Sequence, residues 1–288
     1  MRCLVIGSQG QLGRALQATV PAEAELFAPA EAECDLVDPV QVERWLGAVK
    51  PNVIFNAAAY TAVDAAERDA AAAELVNATC VGRLAEAARR HGACLVHVST
   101  DFVFDGESSR PYAPDDKPNP LSVYGRTKLE GELAVARAGA HALIVRTAWV
   151  YAEQGRNFVH TMLRLLRERD EVKVVADQVG TPTYARNLAG ALWSLALQRA
   201  SGTYHFTDAG VASWYDFAVA IREEALAYKV LDKAAAVIPI DTKDYPTPAK
   251  RPRFSVLDKS KTWAAIGSSG QHWRQALRAM LGRMKQDG

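Results

Sequence analysis

CLVIGSQGQLGRAL, residues 3–16, is the stretch that decides the fold. Its apolar start reads as a buried strand, and GSQGQLG sets Gly7, Gly10 and Gly13 between that strand and a first helix from about Gln11. Strand, glycine loop and helix in that order make a phosphate cradle. The helix N-terminus presents free N–H groups and the positive end of its dipole, and glycine lets a pyrophosphate approach the backbone. With 19 glycines in 288 residues, this register arises by chance in under about one chain in ten. A plain tight turn is the alternative, and the strand-to-helix context weighs against it.

The alternation continues outward from there. A short apolar run lies near Leu26 to Ala28, PVQVERWLGAVK (39–50) reads as a helix with Pro39 in its first turn, and PNVIFNAAA (51–59) brings a third strand. A long alanine-rich helix is expected over about 69–91, stopping at His91-Gly92. ACLVHVST (93–100) is a fourth strand, a helix opens at Tyr124, and HALIVRTAWVY (141–151) is a fifth strand. This β-α-β rhythm predicts an α/β fold, a Rossmann-type doubly wound parallel sheet.

After residue 151 the rhythm loosens. Helices are expected near 156–169, 184–199, 213–227 and 271–285, with a strand at VKVVA (172–176) and a candidate strand at TYHFT (203–207). IPIDTKDYPTPAKRPRFS (238–255) reads as a proline-rich loop. We therefore expect a dinucleotide-binding domain over 1–151 and a smaller mixed substrate lobe over 152–288, closely packed and partly interleaved.

Composition narrows the function. The formal net charge is +1 and no long basic run exists, which argues against nucleic acid or an anionic membrane as partner. Cys3, Cys34, Cys80 and Cys94 form no CxxC pair, which argues against zinc and a disulfide framework. The apolar start is too short for a signal peptide, and LAGALWSLAL (188–197) covers about half a membrane span. The chain reads as a soluble cytoplasmic protein. No histidine has a partner at ligand spacing, so no metal site is expected.

YGRTK (124–128) opens a helix, where residues four apart share a face. Tyr124 and Lys128 then stand side by side. The spacing alone is weak: 9 tyrosines and 11 lysines in 288 residues give such a pair by chance in about one chain in three. The chemistry is stronger. A free phenol titrates near ~10, and an ammonium about 4 Å away contributes ~1 kcal/mol in water or ~4 kcal/mol at an effective dielectric of ~20. A partly buried lysine is thus expected to lower the phenol toward neutrality and make it a better general acid.

The glycine spacing together with YGRTK resembles the extended short-chain dehydrogenase/reductase family. NAAAYTAVDAAE (56–67), NATCVG (77–82), HVSTDFVFDG (97–106), YGRTKLEGE (124–132), RTAWVYAEQGRNFV (146–159), DQVGTPTYARNLA (177–189) and YPTPAKRPRFSVLD (245–258) resemble, in order, blocks of the dTDP-4-dehydrorhamnose reductase family within it. The resemblance implies reduction of a nucleotide-linked 4-keto-6-deoxysugar with NADPH or NADH, the choice left open by APAEAECD (28–35). It makes Tyr124 the proton donor, Lys128 its partner and ribose contact, and Thr100 the group that bonds the substrate carbonyl, with Asp101 beside it. It assigns the pyrophosphate to Gly7, Gly10, Gln11, Leu12 and Gly13, the adenine to Asp35 and Leu36, and the third-strand edge to Ala59, Tyr60 and Thr61. Trp149 would pack on the deoxysugar, unless it is an ordinary core aromatic, and Arg251 would reach the phosphates.

Departures from the family matter too. Phe102 stands where a tyrosine is expected, which removes a hydroxyl. Some relatives bridge a dimer through Mg2+ with glutamates that align with Ala15 and Arg186, neither of which ligates a cation, so a monomer or an unbridged homodimer is expected. Asn77 is either a polar contact near the site or a surface residue. The rival functions are a nucleotide-sugar epimerase or dehydratase of the same superfamily, and a non-catalytic regulatory subunit.

Overall fold

The computed structural model describes residues 1–287, and one parallel sheet organises it. The chain begins β1 (Arg2–Ile6), α1 (Gln11–Gln17), β2 (Glu25–Phe27), α2 (Pro39–Val49), β3 (Val53–Asn56), α3 (Val63–Ala66), α4 (Ala70–Glu74) and α5 (Cys80–Arg90). It continues β4 (Cys94–Thr100), α6 (Val123–Ala138), β5 (Ala142–Thr147), β6 (Val150–Tyr151), α7 (Phe158–Glu168), β7 (Glu171–Val175), β8 (Val179–Gly180) and β9 (Thr183–Tyr184). It ends α8 (Ala185–Leu197), β10 (Gly202–His205), β11 (Ala212–Ser213), α9 (Trp214–Ala227), β12 (Ala236–Ile240), α10 (Ser260–Ile266) and α11 (Trp273–Asp287).

The main sheet runs β10-β5-β4-β3-β1-β2 with every neighbour parallel. Both faces of its strands are apolar because both are covered. Leu4, Ile6, Ile54, Leu95 and Ile144 turn toward α2 and α5. The alternate residues Cys3, Val5, Phe55, Val96 and Val145 turn toward α1 and α8. The strand order reverses between β1 and β3, and ligands of open parallel sheets bind at such a switch, beyond the carboxyl ends of the strands. The glycine loop leaves β1 at that point and residues 57–61 leave β3.

Three elements differ from the sequence reading. The candidate strand in TYHFT is present as β10, over Gly202–His205, but it pairs with β5, so a segment after residue 151 completes the first sheet. IPI of the supposed proline-rich loop is the end of β12, which pairs in parallel with β7. A two-stranded sheet leaves each strand one open edge, where the N–H that Pro239 lacks is not needed. The long alanine-rich helix is interrupted: residues Leu75–Thr79 form a π-turn between α4 and α5. A second core, built from α7, α9, α11 and β7, carries the smaller lobe. Among the described residues no helix is long and apolar enough to cross a membrane.

Candidate active site

The three glycines of the loop are not equivalent. Gly7 has φ +81°, and a Cβ there would lie 2.5 Å from the Ala58 backbone nitrogen. A Cβ on Gly13 would lie 2.2 Å from the Gly7 carbonyl oxygen. These two let the loop fold tightly on itself and against the end of β3. Gly10 caps α1 and is exposed, and a Cβ on it would meet only the Gly7 oxygen at 3.4 Å. Its missing side chain leaves the front of the loop open, which fits a pyrophosphate.

Leu12 is buried in the core beneath the loop. The Gln11 side chain turns to the other lobe, where its Oε1 accepts from Asn157 Nδ2 at 2.9 Å. After β2, Asp35 accepts from the Val37 N–H at 2.9 Å, while Leu36 points into the core. Leu12 and Leu36 thus have backbone, not side chain, to offer a ligand.

Thr100 ends β4 and donates through Oγ1 to Asp101 Oδ1 at 3.1 Å. Tyr124 and Lys128 lie in the first turns of α6, capped by Ser122, whose Oγ accepts from the Gly125 N–H at 3.1 Å. Gly125 lets α6 close on the end of β4, since a Cβ there would lie 2.2 Å from the Phe102 carbonyl oxygen. The Phe102 ring, in place of the expected tyrosine, stands edge-on to Tyr124 with centroids 5.6 Å apart.

The electrostatics correct one expectation. The Lys128 Nζ donates to the Val98 carbonyl at 2.8 Å. Burial pushes the Tyr124 phenol up to about 12, offset by a hydrogen bond with Thr100 and reinforced by the neighbouring Asp101 charge. Desolvation of the hydroxyl sets the direction of its shift, because burial removes the water that favours a phenolate. The phenol is held as a protonated donor. Asp101, fully buried, is pushed up to about 6, chiefly by desolvation, with hydrogen bonds to Ser255 and Thr100 opposing the shift.

Lys128 is itself lowered to about 8 by burial, with Glu132 one turn along opposing the shift. Glu132 is anchored in turn by Arg146 at 2.7 Å and by Ser99 Oγ at 2.5 Å. Lys128 is therefore charged below about pH 8 and neutral above it. If its ammonium holds the nicotinamide ribose, affinity for the reduced nicotinamide cofactor falls as pH rises through that value. Lys128→Ala should show weaker binding throughout and no such inflection, measured by fluorescence titration from pH 6 to 9.

Asn77, left open by sequence, is fully buried in the π-turn. Its Oδ1 accepts from the Tyr60 N–H at 2.9 Å, and its Nδ2 donates to the Tyr60 carbonyl at 3.1 Å and to Thr127 Oγ1 at 3.2 Å. One amide thus ties the segment Ala59, Tyr60 and Thr61 to the helix of Tyr124. The extra residue of the π-turn pushes the Asn77 carbonyl toward α6, where only glycine fits: a Cβ on Gly131 would lie 2.1 Å from it. Gly131→Ala should cost about 1–3 kcal/mol by overpacking. A melting temperature equal to wild type would contradict this packing.

Trp149 adopts a left-handed φ of +48°, rare for a bulky residue. Its indole is stacked on Trp214, with centroids 3.5 Å apart and planes 10° apart, and it also lies against Gly180, where a Cβ would be 2.8 Å away. Trp214 and Gly180 escaped the sequence reading, since nothing local marks them as partners of Trp149. Arg251 makes a two-pronged ion pair with Asp64 at 2.8 and 3.1 Å. With Trp149, Trp214 and Phe102 it lines a narrow gap. With Phe158, Trp214 and Tyr245 it also lines an adjoining groove of about 340 Å³.

Ala15 and Arg186 line a separate surface cavity with Arg14 and Arg283. Among the described residues no cluster of three or more histidine, cysteine or acidic side chains could hold a metal ion.

A parallel sheet with a glycine loop at its switch point, and a Thr-Tyr-Lys set at the carboxyl end of a neighbouring strand, defines a short-chain dehydrogenase/reductase. The family model for the RmlD substrate binding domain matches residues 1–286, and the chain belongs to this family, that of the dTDP-4-dehydrorhamnose reductases. The dTDP-4-dehydrorhamnose reductase of Aggregatibacter actinomycetemcomitans is 45% identical over 285 residues, which cover 96% of this chain and 97% of the relative. A crystal structure of such a reductase from Clostridium acetobutylicum has a TM-score of 0.92 at 39% identity, covering 99% of this chain and 100% of that one. Another, from Bacillus anthracis in complex with NADP, has a TM-score of 0.90 at 34% identity, covering 97% and 98%.

Proposed function

We propose that this protein reduces the 4-keto group of dTDP-4-dehydro-L-rhamnose to give dTDP-L-rhamnose, with NADPH as reductant. The observation that carries this reading is the placement of Tyr124 and Thr100 at the carboxyl edge of the sheet whose glycine loop has an open front at Gly10. Bound NADPH supplies the hydride. The loop from Gly7 to Gly13 holds the pyrophosphate, Asp35 and Leu36 border the adenine, and Ala59 to Thr61 line the third-strand edge. Lys128 reaches the ribose.

Thr100 orients the keto oxygen, and the Tyr124 hydroxyl gives its proton to that oxygen as it gains charge. The acid is weak by itself, yet the acceptor becomes an alkoxide, a far stronger base than a phenolate. Trp149 borders the deoxysugar, Arg251 meets the diphosphate, and the apolar groove beside Arg251 has the size of a nucleoside site. A charged, membrane-impermeant substrate supports a cytoplasmic location. The active unit is a monomer or a homodimer without a metal bridge at Ala15 and Arg186.

Turnover with enzymatically prepared dTDP-4-dehydrorhamnose tests this reading. NADPH oxidation equimolar with a reduced sugar is expected. Conversion without net loss of NADPH would point instead to an epimerase or dehydratase, and no turnover with any nucleotide sugar to a regulatory subunit.

A further inference from the structure

Asp64 belongs to the cofactor-binding side of the molecule, three residues beyond Thr61, whereas Arg251 lies 187 residues later in the substrate lobe. Their ion pair is one of the ties between those two parts, beside the Gln11–Asn157 bond. It is only partly shielded, so its worth lies in geometry rather than in stability.

The geometry is specific. Arg251 Nη1 faces Asp64 Oδ1, Thr247 Oγ1 at 2.6 Å and the Ala249 carbonyl at 3.2 Å, and Nη2 donates to Asp64 Oδ2 at 2.8 Å. Asp64 Oδ1 also accepts from the Ala249 N–H at 3.2 Å, so the carboxylate grips the loop backbone and the guanidinium together. All these bonds occupy the Nη1–Nη2 end of the guanidinium. Among the described residues, its side edge, the Nε–H and the second Nη2–H, meets no protein acceptor. That edge is a planar two-donor fork suited to two oxygens of a phosphate. Arg251 borders both the gap by Trp149 and the apolar groove, the place where a diphosphate joins sugar to nucleoside.

We propose that Asp64 is a positioning residue for the substrate diphosphate: it clamps the Nη1–Nη2 end of Arg251 and so presents the free fork to the phosphate oxygens. This rests on the reading of Arg251 as the diphosphate contact. It also links the segment Ala59 to Thr61 mechanically to the loop that receives the substrate.

The test compares competitive inhibition by dTDP and by thymidine in wild type, Asp64→Asn and Arg251→Ala. In Asp64→Asn, binding of dTDP and the KM of the nucleotide sugar should each weaken about tenfold, with kcat changed less than about threefold and thymidine binding unchanged. The direction is diagnostic. Removing a negative charge would by relief of Coulomb repulsion alone tighten a polyanion such as dTDP, so weakening reports a lost orientation. Tighter dTDP binding would overturn the proposal by making Asp64 a rival for the fork. Equal weakening of dTDP and thymidine would overturn it by reducing Asp64 to a loop support. Weak dTDP binding in Arg251→Ala with normal binding in Asp64→Asn would refute the positioning role alone. Normal dTDP binding in Arg251→Ala would remove the diphosphate reading on which it stands.

Discussion

Tyr124→Phe is expected to lower kcat by about 10²–10⁴-fold, the usual contribution of a positioned proton donor. The substitution removes one oxygen and keeps the ring, so the edge-on contact with Phe102 and the fold should survive. NADPH affinity should hardly change, because the glycine loop and Lys128 remain. Since burial holds the phenol near about 12 in the free enzyme, it stays protonated throughout the working range. The wild-type pH profile of kcat/KM should therefore show no limb from Tyr124 below about pH 10, because that profile reports groups of the free enzyme. A variant that keeps more than about a tenth of kcat, with a deuterated reductant showing hydride transfer to be rate-limiting, would remove Tyr124 from the mechanism.

The loop glycines should separate stability from binding. Gly13→Ala places a methyl group 2.2 Å from the Gly7 oxygen and 2.6 Å from the Ser8 Cα, both backbone atoms of a loop with no room to retreat. A loss of about 2–4 kcal/mol is expected, which in a chain of this size lowers the melting temperature by roughly 4–15 °C. Gly10→Ala meets only the Gly7 oxygen at 3.4 Å and should fold normally. It should nevertheless weaken NADPH by about tenfold or more, because the methyl group enters the space through which phosphate approaches the backbone. Calorimetric melting beside a cofactor titration decides the matter. Equal behaviour of the two variants in both assays would show that the loop does not divide its work this way.

What was legible in the sequence was local. Apolar runs separated by helical patterns revealed the parallel sheet, and the register Gly7, Gly10, Gly13 marked its switch point. Thr100, Tyr124 and Lys128 are singled out by family blocks that keep their order. The rest depended on contacts that no local pattern encodes. Asn77 became a buried bracket only because a π-turn meets Gly131 on another helix. Trp149 is stacked on Trp214 from a different lobe, and Arg251 finds Asp64 far back along the chain. The acidity of Tyr124 was misjudged because spacing shows which charges are near but not how much water burial removes. TYHFT seemed to belong to the second lobe, yet the open edge of β5 captured it.

The central claim is that this active site reduces a keto sugar, with hydride reaching the keto carbon and Tyr124 protonating its oxygen. The most direct measurement uses dTDP-4-dehydrorhamnose and NADPH carrying deuterium at the transferable position, with NMR and mass analysis of the isolated sugar. The account predicts equimolar oxidation of the reductant and a single deuterium bound to C4 of dTDP-L-rhamnose. Deuterium absent from C4, or a changed sugar with the NADPH intact, would contradict it.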